Sequence, residues 1–171
     1  ELTNREMSEV RVVLFGAGAG AMGVYDELLN HGVRPENILA TDSRGVLHED
    51  RTDINGDPFK RKMRQGIPPG TTAGEFAKGA DALINLGVKE TLTGDLAWTE
   101  QITRSLAPNP FFGPMTNPDP GITPAMLRNV REDAFYGSGN QVHENPVNNF
   151  TAFGYIGAGA LMARAGGVGP V

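Results

Sequence analysis

Residues 10–23 read VRVVLFGAGAGAMG, and this stretch decides the fold. Val10 to Phe15 is a short β-branched, apolar run, the pattern of a strand buried in a parallel sheet. Gly16 to Gly20 follow as a turn. From Ala21 to Asn30 the apolar positions Ala21, Val24, Leu28 and Leu29 recur at helical spacing, and Gly32 is placed to end the helix. The turn fits the dinucleotide fingerprint in two registers, Gly16-x-Gly18-x-x-Ala21 or Gly18-x-Gly20-x-x-Gly23. Only the first follows the strand directly. There Gly16 makes the tight turn, Gly18 lets a pyrophosphate approach the backbone, and Ala21 lets the helix lie close to the strand. Phosphates would meet free N–H groups at the helix N-terminus, where the helix dipole favours negative charge. The cofactor candidates here are Gly16, Ala17, Gly18, Ala19, Gly20 and Ala21.

A second strand runs from Ile38 to Thr41 and ends at Asp42, completing a strand–helix–strand unit. An acid at that position accepts hydrogen bonds from the adenosine ribose hydroxyls and repels a 2′-phosphate, which favours NAD. Arg44 pulls the other way, since a guanidinium there accommodates the phosphate of NADP. Asp42, Ser43 and Arg44 are therefore candidates for the adenosine end. A plain turn cap at Asp42 is the competing reading.

Residues 43–70 are polar and turn-rich, with room for one short helix around Pro58 to Arg64. Thr72 and Glu75 have capping-box spacing. Ala82 to Leu86 is a third strand, ended by Gly87, and Asp95 to Ser105 is helical. Phe111 to Met115 is a fourth strand, and Thr123 caps a helix with Pro124 at its first position. Ala134 to Tyr136 is a fifth, short strand, and a last helix runs from about Val147 to Arg164. This alternation predicts an α/β, Rossmann-type doubly wound and mostly parallel sheet with helices on both faces. One domain spans 10–164, after a lead-in at 1–9 and before a glycine-rich tail at 165–171.

Composition narrows the function. The 171 residues carry a net charge of −5 and 39% hydrophobic residues, which suits a folded domain and argues against nucleic-acid binding. There are no cysteines, hence no disulfide and no thiolate metal site. No stretch has the length of a membrane-spanning helix. His31, His48 and His143 lack metal spacing. Asp50, Asp53, Asn55 and Asp57 resemble a calcium loop without its terminal Glu. No nucleophile elbow is present. Neither a catalytic residue nor a metal ligand is expected within the chain. Gly87 and Asn117 both follow strands at the carboxyl edge of the sheet, where ligands bind, although each also suits an ordinary turn. Asn148 and Asn149 suit an N-cap equally well.

Together these segments resemble the NAD(P)-binding domain of malic enzyme, the oxaloacetate-decarboxylating malate dehydrogenase. The resemblance runs from about Val10 to Arg164. It rests on VVLFGAGAGAMG, ILATDSRGVLHEDR, GADALINLGV with TLTGDL behind it, APNPFFGPMTNPDPGITP and NPVNNFTAFGYIGAGAL. It implies that Asn117 lies beside malate and the nicotinamide, Asn148 against the nicotinamide end and Asn149 against the substrate. It also implies that Leu86 and Gly87 belong to a loop touching the cofactor. Two segments depart from the family: Phe153-Gly154-Tyr155 replaces an aromatic-Pro-Gly turn, and Gly139-Asn140-Gln141-Val142 replaces an Arg-Ser-Asp-like stretch.

The implied reaction of the full-length enzyme is oxidative decarboxylation of malate to pyruvate and CO2 with NAD, or NADP, and Mg2+ or Mn2+. In that family the tyrosine acid, the lysine base and the metal-binding carboxylates precede this domain, so the isolated chain is expected to be inactive. A cytoplasmic homodimer is expected. Two competing readings are a stand-alone dinucleotide-sensing module and the cofactor domain of another two-domain dehydrogenase. The DSRG and VNN segments argue against the latter.

Overall fold

Val12–Phe15 forms β1 at the centre of a six-stranded sheet, and all four of its side chains are buried. The structure, a computed structural model, describes residues 5–87, 100–116, 120–140, 142–147 and 162. β1 pairs in parallel with β2 (Ile38–Asp42) on one side and β4 (Ala82–Asn85) on the other, Phe15 standing between Thr41 and Asn85. β5 (Phe111–Pro114) and β6 (Phe135–Tyr136) extend the sheet beyond β4, also in parallel. β3 (Gly45–Val46) pairs antiparallel with β2, giving the order β3-β2-β1-β4-β5-β6. The sheet is thus mostly parallel, as expected, but β3 was not anticipated. Residues 43–70 read as turn and helix alone, yet Gly45 at φ +118° reverses the chain immediately after Asp42 and brings Val46 back against Thr41.

Alternate residues of β1 face two apolar layers, which is why the strand reads as an unbroken hydrophobic run. Val12 and Leu14, with Ile38 and Ala40, pack against Ala21 and Tyr25 of α1 (Ala19–Asn30) and Met63 of α2 (Pro58–Met63). Val13 and Phe15, with Leu39, Leu83 and Phe112, face α3 (Ala73–Ala77), α4 (Glu100–Ser105) and α5 (Pro124–Val130) through Ala73, Phe76, Ile102 and Leu127. Helices therefore cover both faces.

The short helices start where the sequence says they should. Thr72 and Glu75 make a reciprocal capping box on α3, and Thr123 accepts from the Met126 N–H ahead of Pro124. Asp57 caps α2 by accepting from the Phe59 and Lys60 N–H groups. The helix expected from Asp95 is described only over α4. Of the long last helix only its two fringes are described. Val147 lies outside a helix and donates its N–H to the Ser138 carbonyl at 2.6 Å, while Met162 is helical. No helix among the described residues is long and apolar enough to cross a membrane.

Successive strands step to one side of β1 for β2 and to the other for β4, so the winding direction reverses between β1 and β4. In an open α/β sheet that reversal leaves a crevice at the carboxyl ends of the two strands.

Candidate functional site

The crevice floor is the turn after β1. Gly16 has φ +105° and donates its N–H to the Thr41 carbonyl at 3.0 Å, while the Leu86 N–H donates to the Phe15 carbonyl at 2.7 Å. The turn is thus tied to the ends of both neighbouring strands. A β-carbon on Gly16 would lie 2.7 Å from the Gly87 nitrogen and 2.9 Å from the Leu86 carbonyl carbon, so only glycine fits. Gly18 is the N-cap of α1; no side chain caps this helix end and no acid stands in its first turn. A β-carbon on Gly18 would meet nothing within 4 Å, which leaves the approach to the helix N-terminus open. Ala21 is 1% exposed against the core, whereas Gly23 faces open space. Close helix packing is therefore required at Ala21 and not at Gly23, which selects the Gly16-Gly18-Ala21 register. Ala17 is buried as well, while Ala19 and Gly20 are exposed beside the turn.

Asp42 ends β2 and is buried, but it is not a free carboxylate. Its Oδ1 accepts from the Arg44 N–H at 2.9 Å and from Arg51 at 3.2 Å; its Oδ2 accepts from Arg51 at 3.0 Å and Lys60 at 3.1 Å. Those four bonds use the roughly four lone-pair directions a carboxylate offers. Burial pushes the Asp42 carboxyl up, but the Arg44 N–H, Arg51 and Lys60 outweigh it and hold the group below the usual carboxylate range. Arg51 also binds Asp53 at 2.6 Å, which draws the exposed Asp53 carboxyl down to about 2. Arg44 reaches Asp53 at 3.2 Å with its side chain 73% exposed, and Ser43 is exposed beside it. Three cations thus surround two carboxylates at the end of β2. A cavity of about 250 Å3 opens next to them, lined by Arg44, Val46, His48, Arg51, Thr71 and Thr72.

Arg51 and Lys60 were not among the candidates. The stretch DSRGVLHEDR carries Arg51, but nothing in its spacing announces that β3 folds it back onto Asp42. Lys60 arrives from α2, placed by the Asp57 cap.

At the end of β4, Leu86 and Gly87 meet the glycine turn, and the Leu86 side chain would lie 3.6 Å from a β-carbon on Gly20. Asn85 below them is fully buried, and its Oδ1 accepts from the Gly87 N–H at 3.1 Å. The structure thus gathers Gly16, Gly20, Leu86 and Gly87 in one place, with Asp42 one residue beyond Thr41 on the adjoining strand. Asn117, Asn148 and Asn149 lie outside the described residues.

No family model matches the chain. Among solved structures, the malic enzyme of Entamoeba histolytica superposes on 96% of this chain with a TM-score of 0.82 at 30% identity. An NADP-dependent malic enzyme of Rhizobium meliloti is 35% identical over 164 residues, again covering 96% of the chain. The chain is a malic-enzyme-like domain. An NAD-dependent malic enzyme of the same bacterium is 30% identical over 165 residues, so the domain resembles relatives named for either cofactor. It spans 20% of the length of these two bacterial relatives and 34% of the Entamoeba chain.

Proposed function

We propose that this malic-enzyme-like domain binds a nicotinamide dinucleotide at the carboxyl edge of its sheet and serves as the cofactor domain of an enzyme that oxidises and decarboxylates malate. The observation that carries this reading is the pairing of Gly16, which tolerates no β-carbon, with an open and uncapped N-terminus on α1 two residues later. Bound there, the dinucleotide supplies the hydride acceptor for oxidation of the malate carbon. The N–H groups of the first turn of α1 hold the pyrophosphate, with the helix dipole adding to the attraction. The dinucleotide's adenosine end would lie toward Asp42 and its nicotinamide end toward the Leu86–Gly87 turn after β4, and the resemblance implies Asn117 and Asn148 at the nicotinamide end. Asn117 and Asn149 then orient malate.

The shell around Asp42 changes the expectation about cofactor choice. A bare carboxylate would repel a 2′-phosphate, but this one is compensated by Arg51 and Lys60, and Arg44 stands exposed beside it. The domain therefore accepts NADP at least as well as NAD, with Arg44 as the residue that reads the 2′-phosphate.

The test is Gly18→Val. At φ −88° and ψ −169° valine is unstrained, and its side chain projects into open space rather than into the fold. Thermal stability should hold while titration of NADPH fluorescence shows binding lost. Unchanged NADPH binding by this variant would refute the proposed pyrophosphate position.

A further inference from the structure

Among the described residues two buried side-chain polar atoms have no hydrogen-bond partner, Asp81 Oδ1 and Asn85 Nδ2. Asp81 Oδ1 still has the Arg5 guanidinium 3.2 Å away as an ion-pair partner, at the amino end of β4. Asn85 Nδ2 has neither a hydrogen bond nor an ion pair among the described residues. Asn85 is the last residue of β4, between Phe15 and Pro114 in the register, and its accessible surface is 0%. An unpaired amide donor enclosed this way destabilises the fold, because it has given up water and gained no acceptor. Its place in the fold makes that cost informative, because it stands at the carboxyl end of one of the two strands that form the crevice.

The carboxamide is held by its other end. With Oδ1 accepting from the Gly87 N–H at 3.1 Å, the group lies under the Leu86–Gly87 turn, the same turn that bars a β-carbon from Gly16. Leu86 and Gly87 themselves are only partly buried. A donor already stripped of water loses no hydration when an acceptor arrives, so the bond it then makes is worth more than one formed at the surface. A dinucleotide whose adenosine end sits by Asp42 on β2 must pass the β1 turn and run over the end of β4. Its nicotinamide-side ribose is the part that arrives there.

We infer that Asn85 is a positioning residue for the dinucleotide: its oxygen fixes the Leu86–Gly87 turn, and its Nδ2 donates to an oxygen of the nicotinamide-side ribose as that turn yields to the ligand. This rests on the dinucleotide reading above.

The experiment compares the full chain with Asn85→Ser, whose hydroxyl can still accept from the Gly87 N–H but is too short to reach outward. Two probes are titrated, NADP and 2′,5′-ADP, the second lacking the nicotinamide half. The expected result is an approximately tenfold weaker NADP dissociation constant for Asn85→Ser, the size of one well-placed hydrogen bond, with 2′,5′-ADP unchanged within about twofold. The ligand-free melting temperature should hold or rise, because an unsatisfied donor has been removed. Should Asn85→Ser fail to fold, Asn85→Asp keeps the acceptor for Gly87 and must show the same selective loss. Equal affinity for NADP in variant and parent, or equal losses on both probes, would overturn the role of Asn85 alone. A parent chain that binds neither probe would overturn the dinucleotide reading and this inference with it.

Discussion

Gly16 and Asp42 are the two residues on which the proposed site rests, and they differ in how far the sequence revealed them. The glycine's role was legible, since a strand, a glycine turn and a helix leave few conformations open. Its reason became specific only with Gly87 placed 2.7 Å from where its β-carbon would be. Gly16→Ala should cost about 2–5 kcal/mol, from the positive φ and the backbone clash together. A denaturant melt reads this directly. Asp42 was legible as an acid at the end of β2, but its partners were not, because Arg51 and Lys60 meet it only through β3 and α2. Their effect sets a pH dependence. Asp42 has a folded pKa below its unfolded value of about 3.9, so it contributes stability above that value and loses it as pH falls through the folded pKa. Melting temperature should therefore fall below about pH 4, and Asp42→Asn should flatten that acid limb while lowering stability near neutrality by about 3 kcal/mol. An acid limb unchanged in the variant would mean other carboxyls dominate. For Arg44→Ala the expected outcome is a loss of NADP affinity of about tenfold with NAD affinity nearly constant, one charge-assisted bond being removed.

At the scale of elements, the parallel strands and capped helices were readable because each carries local chemistry: an apolar run, a Thr72–Glu75 box, a Thr123–Pro124 start. β3 was not, since two residues have no periodicity and depend on Gly45 to turn the chain. Another tertiary device has no local signature in the sequence. Arg131, just past α5, donates to the carbonyls of Thr103, Arg104, Leu106 and Ala107 at 3.0–3.4 Å and pairs with Asp133 at 2.7 Å. A cation there caps carbonyls at and just beyond the end of α4, and it fastens α4 to the segment leading into β6. Arg131→Ala should cost about 2 kcal/mol, seen as a drop of roughly 4–8 °C in melting temperature for a chain of this size. A drop of under a degree would show the clamp to be ornamental.

On the scale of the whole molecule, the doubly wound sheet was readable from the order of elements, while the reversal between β1 and β4 came only with the observed strand order. The chemistry is divided unevenly. Lys60 and Lys62, candidates in principle for a base, are committed to ion pairs with Asp42 and Asp26. Purified chain mixed with malate, NADP and Mn2+ should therefore give no sustained reduction of the cofactor. Turnover that survived repurification and disappeared in Asn117→Ala would mean a catalytic set assembles on this chain. What the molecule should do alone is bind. Calorimetric titration of the chain with NADP and with NAD, run beside Gly18→Val, tests that directly. Saturable binding by the parent should raise stability by about 2.7 kcal/mol at 100 times the dissociation constant, and Gly18→Val should bind neither cofactor while melting at the same temperature. No heat and no stabilisation of the parent at millimolar concentrations of either dinucleotide would contradict it.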